Sequence, residues 1–207
     1  MNRWVLLLWL LVPIAAILVY LQYEQSLSAP ENAAEASHIN NAPWVRGAPA
    51  TDFDLPDLSG KRVHRTDFKN KVLVVNFWAT WCGPCRIEMP WLIEFQKKYG
   101  PDGLAVVAIS LDAQGPDVVQ PYVSQHGMES LTVVMGNGKT ANLFGGLLGL
   151  PTTFIVDRDG KYYAKHQGVF RRQVVEDELL GLLGIGAQDS ASAFLPGTQS
   201  TGIVGTY

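Results

Sequence analysis

Cysteine is nearly absent from this 207-residue chain, which has two, alongside four scattered histidines. Two cysteines cannot staple a small disulfide-rich fold, and with those histidines they make a poor zinc site. Charge is sparse too, at 17% of residues, with a net value of −3. Residues 47–185 hold 14 basic and 15 acidic side chains and no basic run, which argues against nucleic-acid binding. Residues 23–43 contain no Lys or Arg, and residues 186–207 carry one charge, Asp189. What remains is one domain of about 140 residues, long enough to bury a core. No internal repeat is visible, and the composition excludes collagen and coiled coil.

Long uncharged apolar runs are equally scarce, and the outstanding one is WVLLLWLLVPIAAILVYL at 4–21. As a helix it would reach roughly 27 Å, close to the ~30 Å hydrocarbon core of a bilayer. Trp4, Tyr20 and Tyr23 sit near its ends, where amphipathic rings favour the interface. Arg3 precedes the run and Glu24, Glu31 and Glu35 follow it. The positive-inside rule therefore leaves the N-terminus in the cytoplasm and everything after Leu21 outside. A cleaved signal peptide is the competing reading, with Ala34-Glu35-Ala36 as a small-x-small site. Both readings export the domain. The expected organisation is a membrane anchor at 1–22, a flexible linker at 23–46, a domain at 47–185 and a disordered tail at 186–207.

Within the domain, DFDLPDLSGKRVHRTDF at 52–68 reads as two short strands around turn chemistry. KVLVVNFW at 71–78 and GLAVVAISL at 103–111 are apolar runs of the kind a doubly buried strand needs. Between them, residues 84–99 predict a helix with Ile87, Trp91 and Phe95 as its apolar stripe, bent at Pro90. A short helix at 116–126, a strand at 131–135 and a short helix at 139–144 follow. Strands at 152–157 and 161–167 flank Asp159-Gly160, a strong hairpin signal. A helix at 171–183, with Val174, Val175, Leu179 and Leu182 inward, closes the domain. This order predicts an α/β fold with a mixed central sheet flanked by helices and an added N-terminal β-hairpin.

The chemistry concentrates in WCGPC at 81–85, where a buried strand hands over to a helix. Unpaired N–H groups and the positive dipole end at a helix start both stabilise a thiolate. Cys82, outermost, gains most, and its pKa should fall from ~8.5 toward roughly 7. Pro84 suits the first helical turn, and Cys85 lies three residues on. A structural disulfide over so short a loop would add little stability, and His126 and His166 lie off any zinc-finger spacing. Two unrelated thiols would leave Gly83-Pro84 unexplained. The pattern reads as a redox dithiol.

FWATWCGPC is similar to the active-site stretch of thioredoxin, and Pro90 resembles that protein's helix proline. The chain resembles more closely the membrane-anchored, extracytoplasmic thiol:disulfide oxidoreductases of the TlpA and ResA group. The apolar N-terminus, the hairpin before the buried strand, Glu88 in CGPCRIEMP and GLPTTFIVDRDGK at 149–161 carry that likeness. The resemblance covers roughly residues 47–185 and implies a thioredoxin fold with Cys82–Cys85 as its reversible disulfide. It implies that Pro151 is a cis-proline facing the dithiol and that Leu150 offers its backbone to an extended substrate. Trp81, Gly83 and Pro84 complete the expected substrate-binding surface, with local packing an equal reading for Trp81. Glu88, on the helical face of Cys85, is either a proton relay or an acid that suits a helix start. Asn76 stands where thioredoxin has a buried Asp, which favours Glu88 as its replacement. The resemblance further implies exported partners with thiols or disulfides, such as apocytochrome c or metal-centre assembly proteins, recharging by a membrane thiol carrier, and no cofactor. The alternative is a copper metallochaperone using both thiols and His166, and a peroxide reductase is weaker still because no Thr-rich peroxidatic pocket is visible.

Overall fold

The computed structural model describes residues 44–185 together with Ile17 and Tyr20, both helical and exposed. The chain divides into two units, residues 1–40 and 41–207. The expected anchor, all of the linker before Trp44 and the tail from 186 otherwise lie outside the described residues. Among the described residues, no helix is long and apolar enough to cross a membrane.

The second unit begins with a hairpin of β1 (Asp54–Pro56) and β2 (Arg62–His64), closed where Asp57 accepts from the Ser59 and Lys61 amides. A 3-10 turn over Arg65–Phe68 leads to β3 (Val72–Trp78), every residue of which is buried. Then come α1 (Cys85–Tyr99), β4 (Leu104–Ser110), α2 (Pro116–Gln125), β5 (Thr132–Met135), α3 (Gly138–Leu143), β6 (Thr152–Val156), β7 (Tyr162–Gln167) and α4 (Arg172–Leu183). These agree with the sequence-derived elements to within a residue or two.

The five-stranded sheet has the order β5-β4-β3-β6-β7. β3 runs parallel to β4 and antiparallel to β6, so the sheet is mixed. Two successive parallel crossovers, from β3 to β4 and from β4 to β5, put α1 and α2 on one face, and α4 joins them there. Val72, Val74, Trp78, Val106, Ala108 and Ile155 meet Met89, Leu92, Phe95, Val119, Val175 and Leu179 in that layer. The other face carries Leu73, Val75, Phe77, Val107, Phe154 and Tyr162. It is covered mainly by the segment 50–63 and by Phe144 just after α3. The hairpin thus supplies much of the cover on this face, and its tip also bridges β5 through Asp57 and Val134.

One helix face differs from expectation. Ile87 is exposed, and the buried residues of α1 are Cys85, Glu88, Met89, Leu92, Phe95 and Tyr99. Those follow the i, i+3, i+4, i+7 spacing of a packed helix once Cys85 is fixed inward. An acid at 88 hides that stripe from a hydrophobicity reading. In α4, only Val175 and Leu179 of the expected stripe are fully buried, with Val174 and Leu182 half-buried at its flanks.

Candidate active site

β3 ends at Trp78, and the next residues turn the chain across the carboxyl edge of the sheet. Cys82 donates its N–H to Ala79 O (3.1 Å), and Arg86 and Ile87 donate to Gly83 O and Pro84 O to start α1. Cys82 and Cys85 are joined in a disulfide. The Cys85 backbone N–H points at Cys82 Sγ, 3.2 Å away. A helix-start amide thus already faces the sulfur that would carry negative charge after reduction. Cys82 is 4% exposed and Cys85 1%, so the order of accessibility follows expectation but neither thiol stands proud. Trp81 beside them is 66% exposed, and Gly83 and Pro84 are exposed as well.

The turn is anchored by residues the sequence reading passed over. Asp112, buried just beyond β4, accepts from the Thr80 amide (2.9 Å), the Thr80 hydroxyl (2.6 Å) and the Ser110 hydroxyl (2.8 Å). Arg86 reaches back to Thr80 O at 3.1 Å. The peptide before Trp81 is therefore held from both sides. Ser110-x-Asp112 at the carboxyl end of a buried parallel strand was the available signal, because open sheets place their sites at that edge.

Glu88 lies under the first turn of α1 with no exposed surface. Its Oε1 accepts from Asn76 Nδ2 at 2.6 Å, and its Oε2 faces the Phe170 amide at 3.4 Å. Asn76 Nδ2 also donates to Thr153 Oγ1 at 2.9 Å. Burial pushes the Glu88 carboxyl up from 4.5 to about 7, against the lowering effect of hydrogen bonds from Asn76, Phe170 and Thr153. The carboxyl thus titrates near neutrality one turn from Cys85, where a proton acceptor is of use. The pairing with Asn76 puts it beside the position expected to be an Asp in thioredoxin.

The Leu150–Pro151 bond is cis, as expected. Thr152 is paired with Phe77 in the antiparallel register of β6 on β3, so Pro151 lies at the edge where β3 delivers the dithiol. Leu150 is half-buried and packs against the cluster that contains both cysteines. Pro151 O accepts from the Gly168 amide at 2.9 Å. His166, paired in register with Thr153, has Nε2 2.8 Å from Glu178 on α4. Among the described residues, no group of three His, Cys, Asp or Glu side chains is arranged to hold a metal ion.

Comparison with known proteins places this geometry. Residues 46–164 match the AhpC/TSA family. The thiol-disulfide oxidoreductase ResA of Bacillus thuringiensis subsp. konkukian is 35% identical over 134 residues, 64% of this chain and 76% of that one. A crystal structure from Chlorobium tepidum, assigned as a thiol:disulfide interchange protein DsbE, is 38% identical with a TM-score of 0.63, covering 68% of this chain and 99% of that one. A secreted thiol-disulfide isomerase from Corynebacterium glutamicum is 25% identical with a TM-score of 0.59, over 64% of this chain and 84% of that one.

Proposed function

The chain belongs to the AhpC/TSA family and is a thioredoxin-fold thiol-disulfide oxidoreductase of the TlpA/ResA group, and from that premise we propose that it reduces disulfides in exported polypeptides. The observation that carries this reading is the buried Glu88, hydrogen-bonded to Asn76 and titrating near neutrality below a helix-start dithiol. Cys82 attacks a substrate disulfide: its bond to one substrate sulfur forms as the substrate S–S bond breaks. Cys85 gives its proton to Glu88 and attacks Cys82 Sγ, which closes Cys82–Cys85 and frees the second substrate thiolate. Two electrons pass from the protein to the substrate, and a membrane thiol carrier restores the dithiol.

Leu150 and Pro151, with Trp81, Gly83 and Pro84, form the surface that receives the substrate in this reading. Leu150 offers its backbone to an extended segment, in the manner of strand addition. The apolar run at 4–21 supports tethering to the outer side of a membrane. The secreted relative supports an exported workplace. Apocytochrome c and metal-centre assembly proteins are the substrate classes that the ResA likeness favours.

An extended substrate makes a measurable difference. The reduced protein should reduce the disulfide of an unstructured cytochrome-type peptide at least about tenfold faster than the same loop held in a folded domain, since the folded loop must first open locally before it can lie extended at the site. Equal rates remove the strand-addition argument. One Cu(I) bound per reduced chain with no disulfide turnover would instead favour the metallochaperone.

A further inference from the structure

Asn76 is fully buried, and among the described residues its Oδ1 has no hydrogen-bond partner although its Nδ2 has two. A buried carbonyl without a donor is costly, and such exceptions in a folded protein ask for an explanation. Val74, Asn76 and Trp78 alternate onto one face of β3, and Val74 and Trp78 belong to the buried cluster that holds Cys82 and Cys85. Asn76 therefore lies in the layer beneath the first turn of α1. One end of its amide is taken by Glu88. The other end is unpaired in the oxidised protein, in which the sulfurs carry no proton.

We propose that Asn76 is a two-way partner that serves Glu88 with one end of its amide and the Cys85 sulfur with the other, rotating when the proton passes between them. This rests on the reading of Glu88 as the proton acceptor. After reduction, Cys85 as a thiol has an S–H that needs a buried acceptor, and Asn76 Oδ1 offers one in the same layer. Glu88 as a carboxylate keeps the Nδ2 donor. When the proton leaves Cys85 Sγ for a Glu88 oxygen, both requirements invert. The thiolate now needs a donor and the carboxylic acid an acceptor. A half-turn of the amide exchanges N and O while the side chain fills almost the same space, because the two ends have the same shape. The amide itself is chemically unchanged. Thr153 Oγ1, the second partner of Nδ2, can turn its own proton toward Oδ1 after the half-turn, so both proton states are partnered, where an Asp at this position would suit only one.

The titratable groups packed about this layer are few. Cys82 belongs to the active-site turn, and Cys85 and Glu88 to α1. His166 on β7 is paired in register with Thr153 and is engaged by Glu178 of α4.

The test uses the two-step reaction itself. Reduced protein mixed with a chromophoric aromatic disulfide releases one coloured thiol on attack by Cys82 and a second on attack by Cys85. For Asn76→Ala, the second phase should slow about tenfold while the first is unchanged. For Asn76→Asp, an isosteric change that preserves packing if the alanine variant folds poorly, the pH midpoint of the second phase should rise by about one pH unit or more, because a like charge joins the pair. In a Glu88→Gln background, Asn76→Ala should slow the second phase no further, since the two act as one unit. The inference is overturned if the second phase of Asn76→Asp overlays the wild type, or if the slowing by Asn76→Ala multiplies with that of Glu88→Gln. Should Glu88→Gln alone leave the second phase and its pH profile untouched, the reading of Glu88 itself is at fault, and the coupling falls with it.

Discussion

A Cys85→Ala chain expressed in its own cell should accumulate disulfide-linked adducts that vanish on reduction. Cys82 is the more exposed of the two residues and has the Cys85 amide aimed at its sulfur, so the proposal assigns it the first bond to substrate. Without Cys85 nothing inside the protein can break that bond, and the reaction halts at the mixed disulfide. Cys82→Ala should trap far fewer partners, because its remaining thiol is 1% exposed and lies above a carboxyl group. The contrast should be large, about tenfold or more, since access and thiolate fraction both favour Cys82. Non-reducing gels and identification of the adducts check it. Adducts dominated by cytochrome precursors or by metal-centre assembly proteins would name the substrate. Trapping by Cys82→Ala in place of Cys85→Ala would reverse the roles.

The second large effect is on stability rather than rate. Glu88 has its carboxyl raised from 4.5 to about 7 in the folded protein. Below pH 4.5 folded and unfolded chains both hold the proton, and the group adds no pH dependence. Between 4.5 and 7 the unfolded chain loses the proton first, so stability falls as pH rises. Above 7 the buried carboxylate imposes its full penalty, about 3 kcal/mol at ~1.4 kcal/mol for each tenfold change in proton affinity. Glu88→Gln keeps the size and one hydrogen bond to Asn76 but cannot ionise. The variant should therefore lack this decline and be more stable than wild type at pH 8 by up to about 3 kcal/mol, while the two converge near pH 4. Urea unfolding of the oxidised forms across that range measures the difference. Other carboxylates such as Asp57 and Glu176, held low by their hydrogen bonds, contribute the opposite slope equally to both curves. Parallel curves would mean that Glu88 titrates as an ordinary surface acid. Such a gain in stability at the expense of turnover is the trade expected of a working site.

The dithiol and the sheet were legible because their signals are local. Val72–Trp78 and Leu104–Ser110 are continuous apolar runs, and WCGPC joins the first of them to a helix. Pro151 was readable only through family likeness, since nothing in a Leu-Pro-Thr string specifies the isomer. The inward face of α1 was misread at Ile87 because hydrophobic periodicity gives no weight to an acid, and Glu88 occupies a core position. Asp112 and Thr80 are 32 residues apart, and no pattern in either segment announces their contact. The cover over the Phe77 and Phe154 face was half legible: the hairpin was visible, but its packing onto that face depends on Phe53, Leu55 and Val63 meeting distant strands. The unpaired oxygen of Asn76 belongs to the same class of facts. It exists only once β3, β6 and α1 are assembled around it.

Direction of electron flow is the centre of the proposal, and the equilibrium potential of the Cys82–Cys85 couple tests it most directly. Thioredoxin-fold dithiols span about −270 mV for thioredoxin to about −120 mV for DsbA, whose reduced form is unusually stable. In this chain Gly83-Pro84 matches thioredoxin, and ionised Glu88 opposes a second negative charge on Cys85, which disfavours the reduced thiolate form. Equilibration against a thiol buffer at neutral pH, read by the fraction of protein that reacts with a thiol label, should give a value toward the about −270 mV end. Glu88→Gln should move it to a less negative value. A potential near −120 mV would contradict the proposal and make the protein a donor of disulfides to its partners.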